Sequence, residues 1–156
     1  MRARTIALTL VLCMLGLSAA FAAENPNIGT WKLNEAKSKI PAGVGKNTTV
    51  VYSAAAGDMF NVTTDGVDPS GKPVHSEWTG KFDGKPYPVT GMSSVDAREV
   101  TAKGDRTLDI ANMKDGKTVT TAKVELAKDG KSRTLDTDGT TADGKKAHAK
   151  YVYDKQ

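Results

Sequence analysis

"TTAKVELAKDGK", residues 120–131, sets a strand pattern directly beside a turn. Ala122, Val124 and Leu126 fall on one side and Lys123 and Glu125 on the other, a repeat of two that matches the β pleat and not the helix. Asp129-Gly130 then tolerates the positive backbone angles that a tight hairpin of the right twist requires. Strand followed by hairpin is therefore the local rule, and the rest of the chain repeats it.

Asp-Gly recurs at 65–66, 83–84, 115–116, 138–139 and 143–144, and Lys follows at 85, 117, 131 and 145. Gly57-Asp58 and Gly104-Asp105 read as two more turns. Between them, Phe60, Val62 and Thr64 share a face. Val74, Ser76 and Trp78 oppose His75, Glu77 and Thr79, and Leu108 and Ile110 oppose Thr107 and Asp109. Enrichment in Thr, Val and Tyr agrees, since branched and aromatic side chains suit a pleated, half-buried surface. The expected strands are 29–33, 47–55, 59–64, 74–81, 87–90, 95–102, 106–113, 118–127, 132–137 and 146–154, with Pro- and Gly-rich loops over 65–73 and 83–91. Helix signals are confined to "LNEAKSKI", residues 33–40, where Asn34 can cap and Pro41 stops the chain after a turn or two. About eight to ten short antiparallel strands in one small domain favour an up-and-down barrel, because closure removes the exposed edges. The expected fold class is all-β.

The first 22 residues read as a signal peptide: Arg2 and Arg4, an apolar run from Thr5 to Leu17, then Ala20-Phe21-Ala22 as the cleavage site. The run is too short for the roughly 20 residues of a membrane-spanning helix, so no membrane insertion is expected after cleavage. Cys13 lies inside the run, preceded by Val11 and Leu12, which does not fit a lipid-modified cysteine. Residues 23–156 then form one domain without cysteine, so thiols can neither staple nor damage it in an oxidising compartment. Without Arg2 and Arg4, two of the 22 basic residues, the remaining 20 face 18 acidic ones. These charges are interspersed, with no basic block, which argues against a nucleic-acid partner.

"GTWKL", residues 29–33, carries the Gly-x-Trp of the first strand in lipocalins and resembles the start of the fatty-acid-binding proteins. The resemblance implies a barrel in which Trp31 closes one end near the last strand, with Gly29 and Trp31 structural. "KYVYDKQ", residues 150–156, is similar to the terminal strand of fatty-acid-binding proteins, where an Arg and a Tyr two residues apart hold the ligand's carboxylate. Tyr153 falls at the Tyr position, but Tyr151 stands in place of the Arg. The 13 residues between Leu33 and Asn47 are too few for the family's helical lid, and the later Thr-Asp-Tyr motif of lipocalins is missing. Residues 66–91, with the "VYDK" ending, resemble a group of small exported bacterial proteins, which implies a periplasmic or secreted location.

His75 and Glu77 form a His-x-Glu pair on one side of a strand, which could ligate zinc only if further ligands converged; His148 lies on the face opposite Tyr151. No metal or other cofactor is expected. "DTDGTTADGK", residues 136–145, places Gly139 fourth where a calcium loop needs it sixth, so successive turns account for it. No nucleophile elbow or phosphate loop occurs, and enzyme activity is not expected. A monomeric barrel holding a small, partly apolar or amphipathic molecule is the leading expectation. Trp78, Phe60, Tyr52, Met113, Tyr151 and Tyr153 are its candidate contacts, joined by His75 and Glu77 if their face points inward. The alternative is a barrel with a filled core that meets a protein or cell-envelope partner through the 65–73 and 83–91 loops.

Overall fold

The computed structural model describes residues 25–141 and 144–156; the signal peptide expected over residues 1–22 lies outside them. Ten antiparallel strands close into a barrel in up-and-down order. They are β1 (Gly29–Leu33), β2 (Lys46–Ala55), β3 (Met59–Val67), β4 (Pro73–Gly80), β5 (Asp83–Thr90), β6 (Ala97–Ala102), β7 (Thr107–Lys114), β8 (Lys117–Leu126), β9 (Ser132–Thr140) and β10 (Lys146–Lys155). β1 completes the ring between β10 and β2, pairing Trp31 with Lys155 on one side and with Val50 on the other. The fold is thus the all-β, up-and-down barrel that the alternation implies.

Most strand ends agree with the sequence pattern, and the exceptions share one cause. Asp65-Gly66, Asp83-Gly84 and Asp138-Gly139 read as turns, yet all three lie within strands. At Gly66 an added Cβ would overlap the backbone of Lys46 and Asn47 on β2, where Thr48 is bulged, so glycine serves a close approach there and not a reversal. The loop expected over 65–73 accordingly shrinks to residues 68–72, tied by Asp68, which accepts from the amides of Ser70 (2.8 Å) and Lys72 (3.0 Å). The strand expected over 87–90 is present but reaches back through the expected 83–91 loop to Asp83, forming β5 with Pro86 and Pro88 in it. Those prolines withhold donors from the sheet, and β5 meets β4 only at Glu77–Thr90 and Trp78–Val89. This is the weakest seam of the ring. At Asp115-Gly116 the turn reading holds, with φ of 50° and 73°.

The helix signal reduces to a 3-10 turn over Glu35–Lys37, capped by Asn34, whose side chain accepts from the Lys37 amide. β1 ends at Leu33, leaving β10 and β2 without a strand between them further along. Two tyrosines bridge that gap: Tyr151 Oη donates to Gly45 O (2.9 Å) and Tyr153 Oη to Asn47 O (3.0 Å).

The two ends of the barrel differ. At the end that holds residues 25–28 and Gln156, Trp31 is 0% exposed and its Nε1 donates to Asn27 O at 2.8 Å. Lys155 Nζ lies 5.2 Å from the Trp31 ring centre and donates to Pro26 O (3.2 Å). Gly29, at φ 128°, makes room for that lysine, since a Cβ would come 2.8 Å from Lys155 Cε. Phe82, between β4 and β5, stacks on Phe60 at 4.1 Å and packs against Tyr52 and Trp78, so large rings fill this half. The opposite end, bordered by the 34–45, 68–72, 91–96, 115–116 and 141–145 connections, is the mouth.

Candidate functional site

The pleat decides which side chains enter the lumen. Leu108, Val124 and Leu126 are buried and inward, so by register Ile110, Asn112, Thr120, Ala122 and Thr137 share the inner face nearer the mouth. These mouth-side residues are only half-buried. Ile110 and Ala122 also line a depression that reaches the outer wall, so part of their exposure lies on that side.

Two arginines stand on this inner face. Arg98 on β6 lies two residues before buried Val100, and its Nε donates to Asn112 Oδ1 at 2.7 Å. Burial lowers its basicity, and Tyr52 partly offsets that. Arg133 on β9 is 4% exposed, with its guanidinium carbon 4.5 Å from the Trp31 ring centre, 4.7 Å from Tyr52 and 5.4 Å from Tyr153. Its Nε and Nη1 have no hydrogen-bond partner among the described residues. Neither arginine was singled out in the sequence, although the signal exists: Arg133 is two residues from Leu135, and Arg98 two from Val100, so each shares the face of an apolar neighbour.

The candidate contacts divide between the two faces. Phe60, Tyr52, Trp78, Tyr151 and Tyr153 all point inward. Trp78 is 2% exposed and spans the weak seam, its Nε1 donating to Arg98 O (3.2 Å). Tyr151 and Tyr153 already donate to the carbonyls of Gly45, just before β2, and of Asn47 in β2, and burial raises both phenols above their ordinary value. Met113 falls one residue beyond Asn112 and pairs with Ala97, which puts it in the outer row. His75 and Glu77 also face outward, so the condition for their joining a lumenal site is not met. His75 instead bridges Asp65 (Nδ1–Oδ1, 2.6 Å) and Glu77 (Nε2–Oε1, 3.3 Å) on the exterior. His148 likewise contacts Asp138 at 2.9 Å outside the barrel. No group of three metal-ligating side chains comes together among the described residues.

The outer wall carries a shallow depression of about 510 Å³ across β6 to β9, bordered by Glu99, Asp109, Lys123, Asp136 and Asp138. Its charges meet water and one another, as in Lys123 with Glu125, so nothing in it is left unsatisfied by burial. The inner face has the stronger chemistry because Arg133 is removed from water and Arg98 is half-buried beside Asn112.

No family model matches the chain, and no curated protein matches it. Among solved structures it is similar to two single-substitution variants of the fluorescent protein UnaG. One is 22% identical, covering 82% of this chain and 94% of that one, with a TM-score of 0.52. The other is 19% identical, covering 84% and 96%, with a TM-score of 0.54. At such identities the likeness shows the fold alone, a closed antiparallel barrel, here of ten strands.

Proposed function

We propose that this chain is an exported binding protein that holds a small, partly apolar molecule in the mouth half of its barrel. The observation that carries the reading is the gradient along the inner face: sealed at Trp31, Leu108, Val124 and Leu126, wet at Ile110, Asn112, Thr120 and Thr137. A lumen plugged at one end and open to water at the other can admit a small ligand and bury its apolar part against Ile110, above the Trp78 cluster. Stacking of Phe60, Phe82 and Trp78 favours a second reading, a filled barrel that meets an envelope partner through its loops. Those rings cluster at Phe82, between the ends of β4 and β5 on the closed side, and leave the mouth-side rows of β7 to β9 wet.

The pattern of residues 1–22 supports export to a periplasmic or extracellular space. Native mass spectrometry of protein purified from its own host tests both parts. The expected spectrum shows a chain beginning at Ala23 with added mass of a few hundred daltons, on the order of one small ligand. Repeated recovery of the bare mass would count against binding, and a full-length chain would count against export.

A further inference from the structure

We infer that Asp115-Gly116, the turn between β7 and β8, is a site of spontaneous covalent modification at which the aspartate becomes isoaspartate. The chemistry is open to any Asp-Gly pair, because a glycine carries no side chain to hinder its nitrogen from approaching the preceding carboxyl carbon. The chain has six such pairs, and the structure separates them by what already holds the two reacting groups. At Asp65 the carboxylate is hydrogen-bonded to His75 Nδ1 (2.6 Å), and Gly66 is laddered to both β2 and β4. Asp138 is bonded in the same way to His148 Nδ1 (2.9 Å), with Gly139 held between β8 and β10. Both oxygens of Asp83 are engaged, by the Lys85 amide (3.1 Å) and the Tyr87 hydroxyl (3.1 Å). Asp129 accepts from the Lys131 amide (3.0 Å), and the Gly130 N–H donates to Ala127 O (3.0 Å). The remaining pair includes Asp143, which lies outside the described residues.

Asp115-Gly116 is the exception. Both residues are exposed, and among the described residues neither the Asp115 carboxylate nor the Gly116 N–H has a hydrogen-bond or ionic partner. The flanks are held: the Asp115 N–H donates to Asp96 Oδ2 (2.9 Å), and Lys114 pairs with Lys117 across the hairpin. The peptide between Asp115 and Gly116 therefore stands outside the ladder, at the centre of a tight two-residue turn. In the step itself, the Gly116 nitrogen attacks Cγ of the protonated Asp115 carboxyl, and the amide proton leaves with the carboxyl hydroxyl as water. The product is a cyclic succinimide. Water then adds to the backbone carbonyl carbon of residue 115 and breaks its bond to the Gly116 nitrogen. The chain now runs on through Cγ, and the former carbonyl ends as a free carboxylate. One water leaves and one returns, so no other reactant is needed. The isoaspartate adds one atom to the backbone of a turn on the mouth rim. It is a substrate for the class of methyltransferase that esterifies isoaspartyl carboxylates, and it forms whether or not a ligand is bound.

The test is to incubate the purified chain for weeks at about pH 5, where a carboxyl of ordinary pKa near 3.9 keeps a protonated fraction. Isoaspartate is then labelled with an isoaspartyl methyltransferase and located by peptide mapping. The peptide that carries Asp115 should take up at least about tenfold more label than those of Asp65, Asp83, Asp129 and Asp138, the value of the one or two hydrogen bonds that those pairs must first break. In urea, where none of the pairs is held, their labelling should become similar. Asp115→Glu, whose longer side chain does not close the same ring, should lose the Asp115 label and keep the rest. Equal labelling of these peptides in the folded chain would overturn the inference. So would an unlabelled Asp115 in the folded chain over a period in which the urea-unfolded chain acquires label there, because the turn would then be protected.

Discussion

At the scale of single residues, the closed end is governed by Trp31 and what surrounds it. A fully buried indole with its N–H bonded to Asn27 O and two cations near its ring is the largest single apolar contribution at that end. Trp31→Ala should cost about 3–5 kcal/mol in urea unfolding, as other large core truncations do. A loss under about 1 kcal/mol would show that the end closes without it. Arg133 should behave differently. Its desolvation penalty and its ring contacts nearly cancel in the empty barrel, so Arg133→Met should shift stability by no more than about 1 kcal/mol. A loss above about 3 kcal/mol would make it a structural staple of the three rings. Trp31 was legible in the sequence because Gly-x-Trp at the head of the first strand is a pattern. Arg133 was not, because an arginine in a polar run reads as solvated until the neighbouring strands show which face it shares with Leu135.

Among the elements, β4 and β5 explain both the seam and the chief misreading. Period-two alternation made nine strands readable almost to their ends, since each has one apolar face to bury. β5 lacked that signal: "DGKPYPVT" offers two prolines and a glycine at φ 75°, and it survives as a strand because β6 holds it through Pro86–Glu99, Tyr87–Arg98 and Pro88–Ala97. Amides of β4 and β5 that point into the seam should exchange with solvent orders of magnitude faster than those between β7 and β8. Equal protection would mean that the seam is closed in solution. β3 and β4 carry a second consequence on their outer side. His75 lies between Asp65 and Glu77, and those hydrogen bonds raise its pKa above the ordinary histidine value. A raised folded pKa adds stability that is fully present below the unfolded value near 6.5 and is lost as pH climbs through the folded value. An NMR titration should find His75 above the ordinary value in the wild type and lower in Asp65→Asn; an unshifted His75 in the wild type would contradict the bridge. Because the imidazole is exposed, the effect on global stability should be slight.

For the whole molecule, charge is sorted by face. The barrel displays its strand carboxylates outward, mixed with lysines, so charges of both signs meet water on the outer wall. It turns two arginines inward, against the usual cost of burying charge. Arg133 is offset there by the rings of Trp31, Tyr52 and Tyr153, and Arg98 by Asn112 and its half-buried position. The sequence patterns could supply the barrel and its closed end, but the contents depend on pairing across strands far apart in the chain, which no local pattern records. The direct measurement is a ¹H–¹⁵N spectrum resolving arginine Nε and tryptophan Nε1 signals while decanol, a small and partly apolar molecule, is added. The Arg98 Nε and Ile110 amide signals should move together with the Trp78 indole, and outer-row residues such as Lys123 and Asp138 should stay still. Shifts confined to the outer depression, or a wholly unchanged spectrum, would contradict a ligand held inside the barrel.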